Sequence, residues 1–387
     1  AGGAAMPAAK AGMAAAPPKG GEAHHCLDVW RTPRELGASA IAYGGSPARE
    51  AAQAALREQG LLKSSAAGPF PNGALAGQAP MLFHEEAAVV LALVVVMGGP
   101  LYWLGLGLFV LACGTWTQVL LHAVATAVLA FHPLPKAYDQ INRSWLVQQL
   151  YRYFSYRMVF RGDAMAQCQK NTPWIGVGVP HGVMPFANVL SIPAVNSFLY
   201  APGPFVGAPA SVLFHTPFLR YLTLFHAVSV SRQSLLRELD AGHNVGIVAD
   251  GIAGIFKCNH DDEVVALKDR KGIARLALRT GRPVLPCYSV GNTEAFSAWY
   301  DRWGVMEWLS RKMQASVFVY WGRFFLPIPH RVNITMVIGD LIEVGQTADP
   351  TPEMVDEVHE RVLAGIQAAF DAHKAALGWG HKKMRFV

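Results

Sequence analysis

The sequence predicts an α/β layered domain preceded by an N-terminal transmembrane helical hairpin, and three observations carry that expectation. After Pro133, short β-branched runs alternate with helical patterns, the signature of a layered sheet and helix domain. Ahead of them lies a stretch of about 45 residues, Ala87 to Phe131, without a single Asp, Glu, Lys or Arg, where one membrane-spanning helix needs roughly 20. The chain of 387 residues is also 52% hydrophobic and only 16% charged, whereas an ordinary soluble domain carries roughly 25% charged residues. A fully disordered chain and a coiled coil are thereby excluded. The net charge of +6 is spread thinly and no binding motif accompanies it, so nucleic acid is not an expected partner.

Taken in order, residues 1–80 are dominated by Ala, Gly and Pro and read as an N-terminal extension with little capacity to build a core. No compact apolar run with a small-residue cleavage site lies there, so no secretory leader is expected, and a chain opening on Ala1 reads as processed or truncated. If this stretch is ordered, the expectation is that something outside the chain, a larger membrane protein complex, holds it. Residues 81–135 form the expected membrane hairpin, with its break placed at Gly98-Gly99-Pro100. Residues 136–387 form the α/β domain. Its strands are expected at Trp174–Pro180, Asn244–Asp250, Arg282–Gly291 and Ile334–Val344. Helices are expected over SRQSLLRELDAG, over VVALKDRKGIARLALRTG up to a glycine cap at Gly281, and over the run beginning Thr351-Pro352, a cap followed by Pro in the first turn.

The strongest local signal for chemistry is Val179-Pro180-His181-Gly182, directly after a strand. Reactive groups in α/β folds gather at strand ends, and a neutral imidazole can take a proton from an alcohol near pH 7. His181 is therefore the first candidate, with Pro180 and Gly182 setting the turn beside it. No Gly-x-Ser-x-Gly elbow, phosphate-binding glycine loop or metal-ligand spacing occurs. The five cysteines, Cys26, Cys113, Cys168, Cys258 and Cys287, read as free or buried thiols.

The order of VPHGVMPF, VSVSRQS, GIVADGIAG, LKDRKGIARLALRTGRPVLPCYSVGNTEAF, YWGRFFLPIPHRVNITMVIGDLIEV and the C-terminal helical run resembles the type 2 diacylglycerol acyltransferases, a family that includes monoacylglycerol and wax-ester acyltransferases. The likeness covers roughly residues 87–378. It implies a lysophospholipid-acyltransferase-like layered domain and transfer of a fatty acyl group from acyl-CoA, as substrate, to a lipid alcohol, most simply diacylglycerol, without cofactor or metal. The family's His-Pro-His-Gly places the general base on His181. Arg232, Arg270 and Lys271 fall on positions whose cations could hold the phosphates of CoA, and Glu294, Pro180 and Gly182 complete the implied substrate set. Acyl-CoA and membrane lipids are then the partners, in the endoplasmic reticulum or in an organelle membrane, plastid or mitochondrion.

Two departures qualify the likeness. The first His of the signature is Val179, and the family's Gly-Gly-x-x-Glu reads Asp250-Gly251-Ile252-Ala253-Gly254, which puts Gly254 where the acid belongs. Asp250 is the candidate to replace it beside His181. The Asp that the glycerol-phosphate branch carries five residues after its His is Phe186 here. A second reading takes the same departures as loss of catalysis and makes the chain a structural or lipid-binding subunit of a larger membrane complex. The aromatic run around Trp321 to Phe325 could line an acyl tunnel or meet the bilayer, and the basic run His381 to Arg385 could face an anionic lipid surface or solvent.

Overall fold

The computed structural model describes residues 23–36, 46–66, 68–135, 139–170, 173–199, 201, 203–257, 262–299, 301, 303–313 and 318–387. Cys258 and most of the Ala/Gly/Pro run at the N-terminus lie outside the described residues. The chain opens with strand β1 (His24–Leu27), helix α1 (Ser46–Glu58) and strand β2 (Leu62–Ser65), then three apolar helices, α2 (Phe83–Leu93), α3 (Gly99–Cys113) and α4 (Trp116–Phe131). The short α5 (Asp139–Asn142) and α6 (Trp145–Tyr153) lead into β3 (Arg157–Phe160), α7 (Ala164–Lys170), β4 (Ile175–Val179), α8 (Phe186–Ala194) and β5 (Phe205–Gly207). Next come α9 (Arg232–Asp240), β6 (Asn244–Val248), α10 (Gly251–Lys257), β7 (Glu263–Val265), α11 (Gly272–Thr280) and β8 (Val284–Val290). The chain ends with β9 (Ser297–Ala298), α12 (Val305–Met313), β10 (Tyr320–Trp321), β11 (Thr335–Ile338), α13 (Pro352–His373) and β12 (Met384–Phe386).

Eight strands form one sheet in the order β2-β1-β3-β11-β8-β4-β6-β5. Its half from β8 through β4 and β6 to β5 is parallel, and antiparallel pairs join β8 to β11 and add β1 and β2 at the other edge. The period-2 geometry of a strand divides the core. Ile175, Val177 and Val179 of β4 point to one face, where Phe370 of α13 packs on Tyr288, while Gly176 and Gly178 point to the other, beneath α8. The expected strands are β4, β6, β8 and β11. The expected cap also forms: Thr351 Oγ1 accepts from the Met354 N–H ahead of Pro352, and Gly281 closes α11 at φ 64°.

Three expectations need correction. Residues 1–80 are not wholly an extension: β1 and β2 belong to the central sheet, Cys26 and Leu27 are fully buried, and the chain itself holds these two strands. Arg157 and Lys63 both reach Asp28 there, at 3.0 and 2.6 Å. The helical stretch before Gly281 starts only at Gly272, because Val264 and Val265 pair as β7 with β12 at the chain's end. Gly98-Gly99-Pro100 does not break the apolar run either. One π-helical turn over Val94–Gly98 absorbs the proline, whose missing N–H falls in the first turn of α3, and the helix continues to Cys113. The run from Phe83 to Cys113, 31 residues, is long and apolar enough to cross a membrane. The chain turns instead at Gly114, where Thr115 and Gln118 cap α4. Helices α3 and α4 then pack side by side: Trp103 Nε1 donates to Thr126 Oγ1 at 2.9 Å and stacks on His122.

Candidate active site

His181 follows β4 on a turn that its neighbours hold from three sides. Asn292 Nδ2 donates to the Pro180 carbonyl at 3.0 Å, while Asn292 Oδ1 accepts the Ala187 N–H at 2.9 Å, tying the turn to the start of α8. Gly182 has φ +63°, and a Cβ there would press into the backbone of Asn292, so only glycine fits. The His181 N–H donates to Asp250 Oδ2 at 2.9 Å.

The tautomer of His181 follows from one contact. Its Nδ1 lies 2.8 Å from the Gly182 carbonyl oxygen, which can only accept, so in the neutral ring Nδ1 carries the hydrogen and Nε2 keeps its lone pair. Burial pulls the imidazole pKa below the ordinary 6.5, against the opposing pull of that hydrogen bond. The ring is therefore neutral at pH 7 with Nε2 available as a base.

Asp250 stands beside His181 but holds its backbone, not its ring. The side chain is completely buried at the end of β6, and burial pushes its pKa up to about 7 against the hydrogen bonds and the Arg270 charge that favour the carboxylate. Oδ1 has no hydrogen-bond partner among the described residues. Gly254 makes this arrangement possible, since a Cβ at that position would overlap the Asp250 carboxylate. The acid four residues early and the glycine in its usual place are thus sterically linked.

His181 lies on the wall of a cavity of about 1070 Å³, at the upper end of the size of small-molecule sites. The floor is the sheet face beneath α8, where Gly176, Gly246 and Gly207 stand in register across β4, β6 and β5. Bare of side chains, that row lets the rings of Trp174 and Phe205, 5.2 Å apart, lie flat on the strands. The deep end is apolar, with Met158, Leu285 and Met336, and another part of the wall is Met97, Pro100 and Leu101 of the long apolar helix. The remaining side is cationic: Arg232, Arg270, Arg275 and Arg279 all line the cavity, and none is paired with a carboxylate among the described residues.

The structure brings together some of the residues singled out in the sequence and separates others. His181, Arg232 and Arg270 share the cavity wall, and Gly182 and Asp250 form the turn behind it. Pro180 contributes a carbonyl to Asn292 and does not reach the cavity. Lys271 points the other way, to Asp356 of α13 at 2.6 Å. Glu294 also faces away and takes Lys382 Nζ at 2.9 Å. That lysine belongs to the basic C-terminal run, yet only 4% of its side chain is exposed, because it bridges Glu294 and the buried Glu263. Lys382 thus latches the segment ahead of β12, while His381, Lys383 and Arg385 of the same run are exposed. Sequence reasoning missed Arg275, Arg279 and Asn292. The i, i+4 spacing of the two arginines on a helix was the available signal.

A profile of the diacylglycerol acyltransferase family matches residues 108–385, well over half of the chain and including His181, Asp250 and the four arginines. The chain belongs to the diacylglycerol acyltransferase family. Among its relatives, the bovine diacylglycerol O-acyltransferase 2-like protein 6 is 27% identical over 262 residues, 61% of this chain and 75% of that protein. The human 2-acylglycerol O-acyltransferase 3 is 31% identical over 182 residues, 43% of this chain and 53% of that protein. The human acyl-CoA wax alcohol acyltransferase 2 is 28% identical over 179 residues, 43% of this chain and 54% of that protein.

Proposed function

We propose that the protein transfers a fatty acyl group from acyl-CoA to the hydroxyl of a lipid alcohol, diacylglycerol foremost, at a membrane, with His181 as general base. The observation that carries the reading is a neutral His181 on the wall of a cavity that joins four arginines to a deep apolar interior, with Nε2 free and the arginines unpaired among the described residues. In the forward step Nε2 takes the hydroxyl proton as the alcohol oxygen bonds to the thioester carbonyl carbon. The tetrahedral intermediate then expels the CoA sulfur, and the imidazolium returns its proton to that thiolate, so His181 ends neutral. Asp250 acts behind the base: it fixes the His181 turn through the backbone N–H. The arginines suit the phosphates of CoA, because guanidinium groups pair with phosphate oxygens in a bidentate manner.

The sheet order and the position of His181 at the carboxyl end of a parallel strand suit the lysophospholipid-acyltransferase-like arrangement. Helices α3 and α4 are read as a hairpin embedded in the bilayer. Each, at 15 and 16 residues, is about 22–24 Å long, shorter than the roughly 30 Å of hydrocarbon, and their exposed side chains are mostly large and apolar, with Thr117 and Gln118 at the start of α4 the polar exceptions. Leu101 and Pro100 of α3 belong to both the hairpin and the cavity wall, which suits an acceptor that arrives from the lipid phase. The test is transfer from labelled oleoyl-CoA to diacylglycerol, monoacylglycerol and a long-chain alcohol in proteoliposomes. Product with at least one acceptor is expected; intact acyl-CoA binding without product from any of the three would defeat the reading.

A further inference from the structure

Outside α3 and α4, the largest group of exposed aromatic side chains among the described residues lies on the segment that runs from β9 through α12 to the loop after β10. Trp299, Trp303, Trp308, Phe324 and Phe325 all stand more than half exposed there, the two phenylalanines at 74% and 85%. Burying one such side chain is worth roughly 1.5–3 kcal/mol, so five left outside mark a surface built to be covered.

The backbone gives an independent reason. Phe324 has φ 58° and ψ 26°, and Phe325 has φ 57°. Two consecutive bulky residues in the left-handed region cost on the order of 1–2 kcal/mol each. The strain is held by staples on both sides: the Gly322 N–H donates to the Leu326 carbonyl and the Arg323 N–H to the Ile328 carbonyl, each at 2.8 Å. Arg323 Nη1 also donates to Glu86 Oε1 at 2.5 Å and to the Tyr153 hydroxyl at 3.3 Å. A loop so fixed does not collapse its rings onto the domain; it presents them outward.

Its position identifies the occupant. Glu86 lies in the first turn of the long apolar helix, so the Arg323 pair sets the phenylalanines beside the polar end of that helix. The Tyr320 hydroxyl donates to the Met97 carbonyl at 3.3 Å, which fixes β10 along the same helix. On α12, Val305, Trp308 and Lys312 form one stripe, with Lys312 Nζ 5.2 Å from the Trp308 ring and Arg311 beside it, half-exposed and paired with Glu307 at 2.6 Å. Tryptophan bodies with basic tips are the composition of an interfacial helix, where rings sit at headgroup level and cations meet lipid phosphates.

We propose that the Phe324–Phe325 loop and α12 form a second membrane contact, in which the two phenylalanines enter the headgroup–acyl boundary of a phospholipid bilayer while Trp299, Trp303, Trp308 and the adjacent basic groups lie at headgroup level. The proposal rests on the bilayer-embedded reading of α3 and α4, from which the contact continues along the same side of the molecule. Two attachments then fix the tilt of the domain, and with it the orientation of the cavity toward the lipid surface.

The test uses the full chain in liposomes containing anionic phospholipid, with an environment-sensitive fluorophore on one introduced cysteine at a time in a Cys113→Ser, Cys258→Ser background. Cys26 and Cys287 are buried with thiols pushed up to about 12, and Cys168 is buried too, so they stay unlabelled. Phe325→Cys and Trp303→Cys report the proposed contact, Leu108→Cys the hairpin, and Glu360→Cys on α13 the aqueous side. Expected are blue-shifted emission and several-fold stronger quenching by lipids spin-labelled near the headgroup at 325 and 303 than at 360, with 108 quenched best by deep labels. Quenching at 108 but not at 325 and 303 overturns the contact and leaves the hairpin standing; loss of quenching at 108 as well removes both. Protection at 325 and 303 by energy transfer between labelled chains, without lipid quenching, assigns the patch to a second copy of the chain and also overturns the proposal.

Discussion

Replacing Asp250 by Asn separates the two things its carboxyl does: accept the His181 N–H and resist ionisation in a buried place. The amide oxygen of Asn can still accept that hydrogen bond, whereas the titration disappears. In the native protein the group holds its proton up to about 7, while the unfolded chain loses it at the ordinary 3.8. The displacement corresponds to about 4 kcal/mol, and its sign is destabilising. As pH rises from about 4 to 7 the unfolded state gives up the proton and the folded state does not, so stability falls through that window and the full cost is present above it. Asp250→Asn is flat over the same range. Between pH 5 and 8 the wild type should lose about 3 kcal/mol relative to the variant, read as a relative drop in apparent Tm of about 3–6 °C in detergent-solubilised protein. Parallel stability curves for the two proteins from pH 5 to 8 would refute the idea that a buried acid without a second partner sits behind His181. A variant destabilised equally at every pH would show that the N–H contact, not the proton, is what matters.

The remaining consequences are as direct. Arg275→Ala and Arg279→Ala should each raise the KM for acyl-CoA about 10-fold or more, the worth of a charge-assisted hydrogen bond, with little change in kcat and a smaller effect on a thioester of pantetheine, which lacks the phosphates. Lys271→Ala should leave that KM unchanged and cost at most about 1 kcal/mol of stability, since its pair with Asp356 is half-exposed. Lys382→Met leaves Glu263 buried without its cation and should destabilise the protein by about 3–5 kcal/mol, seen as an early loss of β12 protection in hydrogen exchange. Because burial holds the His181 pKa below 6.5, the acid limb of kcat/KM should fall below that value and the rate should be level at pH 7.

What the sequence made legible, and what it did not, divides along the range of the interactions involved. Strands β4, β8 and β11 are buried on both faces and β6 nearly so, each carrying β-branched residues, so their residues alone declare them. Strands β1 and β2, His24–Leu27 and Leu62–Ser65, carry no such signal. They become strands because β3 offers an edge and Asp28 is fastened to Arg157 and Lys63. The same long-range logic converts Val264 and Val265 from an apparent helical start to a partner of the last strand. The turn of the apolar run was misplaced for a local reason. Gly98-Gly99-Pro100 has the composition of a break, yet Thr115-x-x-Gln118 is a capping box and marks the true helix start. At the site, His181 and its glycine were readable because a strand-end motif is contiguous. Which cations share its cavity was not, for that depends on how α11 is rotated against Asp356 of α13: Lys271 is drawn away, and Arg275 and Arg279 face inward.

The most direct measurement of the central claim is a single-turnover comparison of the wild-type chain and His181→Ala in proteoliposomes, with labelled oleoyl-CoA, diacylglycerol and a parallel assay of acyl-CoA binding. If Nε2 of His181 is the base, binding should persist and the rate of product formation should fall by about 10²- to 10⁴-fold. Equal rates for the two proteins would contradict that assignment, and binding without product from either would make the chain an acyltransferase fold that holds lipid without turning it over.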